Sequence, residues 1–330
     1  MWADEMAKLS DSNPETLAIY RPERRAIRWI GSQFLLASKR LIRPLGTLRA
    51  QKIGFVLGDV CYFLSRRYRN AAMRNLVLAY GEQKSDRDYR RITRSVFRNF
   101  GATVFEFLTI PDLSEEEIRK LVDVYGEESL KECEQMGKGV LFITGHIGNW
   151  ELLARWQVLS GRKLHVVARR TRDPRTTNLM TQVRESAGYN VLHVGETLRP
   201  VLQALKRKEY VAILPDQNAN DVFVPFFGRL TGTVSGPARI CLKTGAPIVI
   251  VWCVRMPNGR FRIEHERPVC FEPTGDTAED IRRIMGYINS RLEHVIRQYP
   301  TQWLWLHNRW KSSPNNSPLI SPVSETNIDA

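Results

Sequence analysis

Apolar residues follow two different patterns along this chain, and the pattern changes near residue 138. Before it they recur at helical intervals, as in Ile53, Val56, Leu57 and Val60. After it, short apolar runs rich in β-branched residues alternate with helical segments. The predicted strands are 139–144, 164–168, 190–194, 210–214, 248–254 and 261–266. The predicted helices of this part are 150–160, 175–187, 198–207, 236–244 and 277–298.

This alternation predicts an α/β fold: a largely parallel central sheet flanked by helices, preceded by an N-terminal helical layer. We expect a flexible segment over residues 1–25, one domain over 26–311 and a disordered tail over 312–330, which is rich in Ser, Pro and Asn. Within the domain, residues 26–135 are predicted to form the helical layer and 136–311 the α/β core.

Polar side chains follow three of the predicted strands. His146, Arg169 and Asp216 each come directly after a strand, and active residues of parallel sheets gather beyond the carboxyl ends of the strands. Arg169 suits a phosphate or carboxylate group. Asp216 with Gln217 suits a hydrogen bond to an acceptor hydroxyl or the orientation of an arginine, and Asp216 equally fits a turn cap.

Arg199 lies at the start of a predicted helix, where the helix dipole disfavours a cation. This position is compatible with a substrate contact, and also with a solvated surface arginine.

The segment Gly145 to Glu151 contains the clearest candidate chemistry. His146 is expected in a glycine-bracketed turn between a strand and a helix that Asn149 caps. A histidine at such a place can act as a base at neutral pH, if a carboxylate such as Glu151 fixes its tautomer. Alternatively, Glu151 stabilises the helix dipole and His146 is a turn residue. The amides at the Asn149 helix start are candidates for stabilising an oxyanion.

The charge of the chain indicates a polyanionic neighbour. Its 49 Lys and Arg against 35 Asp and Glu give a net charge of +14, which fits nucleic acid or an anionic membrane face. Against nucleic acid, the arginines are spread along the chain and no reader motif is present. The five cysteines are scattered without metal-ligand spacing, which suits a reducing compartment and predicts no metal site.

Peripheral membrane contact is the form of membrane association that the sequence allows. No stretch reaches the roughly 20 apolar residues of a spanning helix, and residues 1–22 lack the apolar core of a signal peptide. Residues 27–45 combine helically spaced apolar residues, Trp29 and several arginines, which is typical of an interfacial helix. A helix packed on the core with a solvated basic face has the same pattern.

Several ordered blocks resemble one protein family. The segment Gly145 to Glu151 is similar to the GHxxNWE block of the lipid A biosynthesis acyltransferases, a branch of the lysophospholipid acyltransferase family. Further blocks of this resemblance are Ala168–Pro174, Pro215–Gln217, Phe223–Gly228, Thr244–Pro247 and Tyr299–His307. The resemblance spans roughly residues 27–311. Thr301 and Asn308 depart from the family pattern.

The resemblance implies an enzyme that moves a fatty acyl chain from a thioester to a hydroxyl of a lipid A precursor. His146 and Glu151 would be catalytic, and Arg169, Asp216, Arg199, Asn149 and Gln217 would contact substrate. The implied donor is acyl carrier protein or, alternatively, coenzyme A. The acceptor would be a phosphorylated glycolipid or, alternatively, a lysophospholipid or another bacterial glycolipid.

Direct transfer needs no enzyme nucleophile, and the chain shows no G-x-S-x-G elbow. We therefore expect no covalent intermediate, no cofactor and no metal. Many family members begin with a transmembrane helix, and we expect none in this chain. The expected location is peripheral, on the cytoplasmic face of the bacterial inner membrane, next to anionic lipids.

Overall fold

The computed structural model describes residues 46–171, 173–195, 198–312 and 314. The segment predicted to be flexible, the amphipathic helix predicted over 27–45 and most of the predicted tail lie outside these residues. The predicted fold class is confirmed: the chain forms an α/β structure around a mostly parallel seven-stranded sheet, with helices ahead of it.

Ahead of the sheet, the described residues form a layer of long helices: α1 (Thr47–Leu64), α2 (Arg66–Tyr80) and α3 (Asp86–Thr109). Ser85 begins α3 with a capping box, in which its hydroxyl accepts from the Asp88 amide. Helix α1 approaches α3 closely because glycine lies at the contact. A Cβ at Gly54 would lie 2.5 Å from the Cα of Ala102.

The strands of the main sheet are β1 (Val122–Tyr125), β2 (Val140–Ile143), β3 (Leu164–Ala168), β4 (Asn190–His193), β5 (Tyr210–Ile213), β8 (Ile248–Arg255) and β9 (Phe261–His265). Their order in the sheet is β1-β9-β8-β2-β5-β3-β4, and every neighbouring pair except β8–β9 is parallel. A separate antiparallel hairpin consists of β6 (Val222–Phe226) and β7 (Arg229–Thr233). The strands β2 and β5 lie in the middle of the sheet, and both are fully buried.

The remaining helices cover the two faces of this sheet. They are α4 (Glu115–Leu121), α5 (Leu130–Gln135), α6 (Trp150–Leu159), α7 (Pro174–Ser186), α8 (Leu198–Lys206), α9 (Gly236–Thr244) and α10 (Thr277–Gln298). One core cluster joins the sheet to α2, α3, α8, α9 and α10, and the other joins it to α4, α5 and α6. A polar group at the edge of β2 or β5 is therefore enclosed on both sides.

Two features of the fold differ from the sequence pattern. Strand β1 lies inside residues 26–135, which were predicted to form the helical layer, and it pairs with β9 at the edge of the sheet. The hairpin β6–β7 occupies a segment that no predicted strand covers, because Pro225 and Gly228 read as loop residues. Among the described helices, none combines the length and hydropathy that crossing a bilayer requires.

Candidate active site

His146 and Asp216 form a hydrogen-bonded pair at the carboxyl edge of the sheet. In the parallel pair β2–β5, Ile143 is opposite Ile213, and His146 and Asp216 each lie three residues further along. The Nδ1 atom of His146 is 2.8 Å from Oδ1 of Asp216. The backbone amide of His146 donates to Oδ2 of the same carboxylate at 2.7 Å, so both ring and backbone are fixed.

The protonation state of this pair follows from the surroundings of Asp216. Burial alone would raise the pKa of this carboxyl group, but interactions with His146 and a hydrogen bond from the indole of Trp303 lower it to about 2. Asp216 is therefore ionised at neutral pH and can only accept hydrogen bonds. The Nδ1 atom of His146 must carry the proton, which leaves Nε2 free to accept one.

The turn that carries His146 is held by backbone contacts to neighbouring segments. Gly148 has a positive φ of 59°, and its amide donates to the carbonyl of Gln302 at 2.9 Å. A side chain there would collide with the Cys253 carbonyl, so the close approach requires glycine. The amide of Leu304 donates to the carbonyl of His146. The imidazole is thus presented on a rigid turn, and its side chain is 22% exposed.

Glu151 does not contact His146, and the predicted hydrogen bond between them is wrong. Its carboxylate accepts two bonds from Arg184, one from the hydroxyl of Tyr189 at 2.6 Å and one from the indole of Trp150 at 3.0 Å. The physical reason is that Glu151 lies in the first turn of α6 and faces α7, whereas His146 lies in the preceding loop. Burial would raise the pKa of Glu151, but Arg184 and these hydrogen bonds hold it below its usual value.

Trp150 lies between Glu151 and the imidazole and contacts both. The indole that donates to Glu151 belongs to the ring that meets His146 edge-on, with ring centroids 5.0 Å apart. A catalytic role for Glu151 stays a prediction, and the structure indicates that such a role would act through Trp150.

Asn149 is fully buried, so we correct its predicted role from substrate contact to positioning of the loop. Its side-chain oxygen caps α6 by accepting from the Leu152 amide at 2.9 Å, and its side-chain amide donates to Glu106 at 2.8 Å. Its backbone amide donates to the Cys253 carbonyl at 2.8 Å. The backbone amides of Asn149 and Leu152 are therefore already used, and an oxyanion role for the other amides at this helix start stays a prediction.

A buried network of charged and polar side chains, which the sequence pattern did not predict, holds this loop in place. Glu106 is completely buried and accepts from Gln51, Asn149 and Arg255. Arg255 in turn pairs through its backbone with the side chain of Gln302. The network joins α1, α3, β8 and the C-terminal segment (residues 299–312) to the turn of His146, so those elements position the site together.

A narrow cleft opens beside His146 and Trp150. Helix α3 forms one wall and the C-terminal segment forms the other. The lining residues are Val96, Asn99, Phe100, Thr103, His146, Gly148, Trp150, Gln302, Trp303 and Leu304. Apolar side chains line this cleft together with the polar side chains of Asn99, Thr103 and Gln302, and the imidazole of His146 is the titratable group among the lining residues.

The other predicted substrate contacts lie along the same edge of the sheet. The strand order β2-β5-β3-β4 arranges His146, Asp216, Arg169 and the start of α8, with Arg199, in a row. At about 4.8 Å per strand, this row is on the order of 14 Å long. Arg169, Arg199 and Gln217 are exposed, whereas Asp216 is buried. Asp216 thus holds His146 and has no free surface for a substrate.

Two C-terminal residues near Asp216 were not singled out as functional by the sequence. Burial lowers the pKa of His307, and the nearby groups His146, Arg309 and Arg169 lower this pKa further. The carboxylate of Asp216 raises the same pKa, so all of these groups lie within electrostatic reach of His307. Arg309 is completely buried and donates to Thr233 at 2.7 Å, and burial lowers its pKa to about 10. Because they lie about 90 residues from Asp216 in the sequence, no local pattern indicated that they are near it.

The described residues contain no cluster of three or more His, Cys, Asp or Glu side chains arranged to hold a metal ion. Near the site, burial raises the pKa of the Cys253 thiol far above its usual value, so it is protonated at neutral pH. The absence of a cofactor stays a prediction.

Comparison with known proteins identifies the family. The family model described as bacterial lipid A biosynthesis acyltransferase matches residues 17–312. The lipid A biosynthesis lauroyltransferase of Escherichia coli K12 is 25% identical, over 88% of this chain and 94% of that protein. The palmitoleoyltransferase of the same organism is 27% identical, over 87% and 92%.

A relative whose name states a different acceptor is similar to nearly the same extent. The phosphatidylinositol mannoside acyltransferase of Mycolicibacterium smegmatis is 24% identical, over 83% of this chain and 89% of that protein. Because the family model covers most of the chain, including the His146 turn and Asp216, the resemblance noted in the sequence is confirmed. The chain belongs to the bacterial lipid A biosynthesis acyltransferase family and is an O-acyltransferase.

Proposed function

We propose that this enzyme transfers a fatty acyl chain from an acyl thioester to a hydroxyl group of a lipid A precursor, with His146 as general base. The observation that carries the proposal is the His146–Asp216 pair, in which Nδ1 is bonded to the carboxylate and the histidine lines the cleft. The names of the relatives support a lipid A-type acceptor.

The chemical steps balance without an enzyme nucleophile. Nε2 of His146 takes the proton of the acceptor hydroxyl while that oxygen attacks the thioester carbonyl. The tetrahedral intermediate then expels the donor sulfur, which takes the proton back from the imidazolium. Asp216 stays ionised throughout and stabilises the imidazolium, which general-base catalysis of this kind requires.

The phosphate groups of the acceptor would meet the row of exposed cations. Arg169 and Arg199 lie one and two strands beyond Asp216 along the sheet edge, at a spacing that suits a phosphorylated disaccharide rather than a single small headgroup. Gln217 is exposed beside them and would donate to a sugar hydroxyl. Acyl carrier protein is the proposed donor and would bring the acyl chain from the cytosol to the inner membrane surface.

A second candidate acceptor is a phosphatidylinositol-type or other phosphorylated glycolipid, which the mycobacterial relative favours. The pair at the cleft would be the same, and the contacts of Arg169 and Arg199 would differ. Lipid mass spectrometry of cells lacking the protein, complemented by wild type or by His146→Ala, separates these outcomes. We expect lipid A to lose one acyl increment that wild type alone restores. Unchanged lipid A with an altered phospholipid would select the second candidate.

A further inference from the structure

Positive charge and exposed apolar surface are concentrated on the same helices. Residues 47–98 contain 12 Lys or Arg and 4 Asp or Glu, so about one sixth of the chain carries +8 of the net charge of +14. Among the described residues, twelve large hydrophobic side chains are exposed, and eight of them lie on α1, α2 and α3. Phe100 also lines the cleft, whereas the other seven belong neither to the cleft lining nor to the His146–Asp216 pair.

An open groove of about 850 Å³ lies between the end of α1 and the beginning of α3. Its arginines are Arg87, Arg90, Arg91, Arg94 and Arg98, and four of these recur at intervals of four, three and four residues along one side of α3. Among the described residues, two carboxylates form ion pairs with these arginines: Asp88 pairs with Arg91, and Asp59 pairs with Arg94 and Arg98. The groove therefore keeps a positive excess and suits several phosphate groups.

An apolar ridge on α1 borders this groove. Val56, Val60, Phe63 and Leu64 are 61%, 44%, 64% and 79% exposed. They lie on the side of α1 away from Gly54 and Gly58, which contact α3. Phe63 also lines the groove, so the ridge and the arginines form one continuous face.

We propose that this face docks on a bilayer of anionic phospholipids, with the groove arginines at the phosphate groups and the ridge in the layer beneath. Exposed apolar side chains next to clustered arginines are the composition of an interfacial segment. This proposal rests on the proposed function, because docking on the bilayer would bring the enzyme to a lipid acceptor there. Helix α3 carries both the groove arginines and the cleft residues Val96 and Phe100, so the docked face adjoins the cleft beside His146.

Co-sedimentation of the full-length protein with vesicles tests this surface. One set of vesicles is neutral phosphatidylcholine and the other contains phosphatidylglycerol. The test variant is the triple change Arg87→Glu, Arg90→Glu and Arg91→Glu, on exposed side chains. The matched control is Lys131→Glu, Lys206→Glu and Arg267→Glu, which changes the charge equally on exposed residues near the opposite edge of the sheet.

We expect the test variant to partition about a hundredfold more weakly into anionic vesicles, since each basic residue near such a surface contributes about fivefold. The control should lose far less. Phe63→Ser with Leu64→Ser should weaken binding to both kinds of vesicle, whereas Met136→Ser with Leu230→Ser, also exposed, should not. Equal loss in test and control variants would overturn the proposed surface.

Activity measured in detergent separates this proposal from the proposed function. The arginine variant should transfer acyl chains at the wild-type rate to an acceptor dispersed in detergent, and slowly to the same acceptor in anionic vesicles. A variant that binds vesicles normally but has a raised KM for the acyl carrier protein donor would overturn the membrane assignment in favour of carrier docking. An inactive wild-type protein would contradict the proposed function alone, because the vesicle result does not depend on turnover.

Discussion

The carboxylate nearest to His146 in sequence is not its partner in the fold. Glu151 lies five residues away and Asp216 lies 70 residues away, yet Asp216 makes the hydrogen bond. The pairing depends on the adjacency of β2 and β5 and on the register that places Ile143 opposite Ile213. The sequence showed that both residues end strands, but not that those strands are neighbours.

Glu151 and Arg184 form a buried ion pair, and its loss has a testable consequence at the scale of single residues. Their side chains are 7% and 14% exposed. We expect Glu151→Gln to lower the free energy of unfolding by about 3–5 kcal/mol, because it leaves a buried cation without its partner. The double variant Glu151→Gln with Arg184→Met should recover part of this loss in urea unfolding. A double variant less stable than both single variants would contradict the pairing argument.

His265 makes the stability of the folded protein depend on pH, and the direction of this dependence follows from its pKa. Burial lowers the pKa of this histidine to about 4, from 6.5, and its imidazole pairs with Gln157 at 2.8 Å. Between these pH values the unfolded chain binds a proton that the folded chain does not, so stability falls as pH decreases from 6.5 to 4. The loss should be roughly 3 kcal/mol.

The measurement is urea unfolding at several pH values between 4 and 7. In His265→Gln the slope over this window should become smaller, whereas His294→Gln, at an exposed position, should keep the wild-type slope. An unchanged slope in His265→Gln would show that another group causes the acid sensitivity.

At the scale of elements, helix α1 packs closely on α3, the helix that forms one wall of the cleft. Gly58 lies against the backbone of Phe97 and Arg98, and no side chain fits there. We expect Gly58→Leu to destabilise the protein by at least about 1–3 kcal/mol, because it forces the two helices apart. Val60→Ala, on the exposed side of the same helix, should change stability by less than about 0.5 kcal/mol. Similar thermal midpoints for both variants would argue against this packing.

The elements that the sequence predicted well are those with strong local signals. Buried apolar runs such as β2 and β5 are followed two residues later by Gly or Pro, and the helix over 277–298 begins at an Asp276 cap and has regular apolar spacing. Strand β1 was missed because its four residues include Asp123 and gain their strand partner only from β9, far along the chain. The hairpin was missed because Pro225 lies within β6.

At the scale of the whole molecule, the site is assembled from segments that no local pattern connects. The turn of His146 is fixed by Asp216 from β5, by Trp303 from the C-terminal segment and by the Glu106 network from α3. The sequence identified His146 and the edge at which it lies. It could not identify its partner, because strand order is decided by packing across the whole sheet.

The central claim is that Asp216 makes His146 an effective base. The most direct test is the turnover rate of purified Asp216→Asn with a thioester donor and a lipid acceptor, compared with His146→Ala and the exposed-site control Gln135→Ala. A thermal unfolding curve for each variant verifies folding. We predict a kcat about 10²–10⁴-fold below wild type for Asp216→Asn, and no further loss in the double variant with His146→Ala, because the pair acts as a unit. A folded Asp216→Asn enzyme that keeps a kcat within about threefold of wild type would contradict the account.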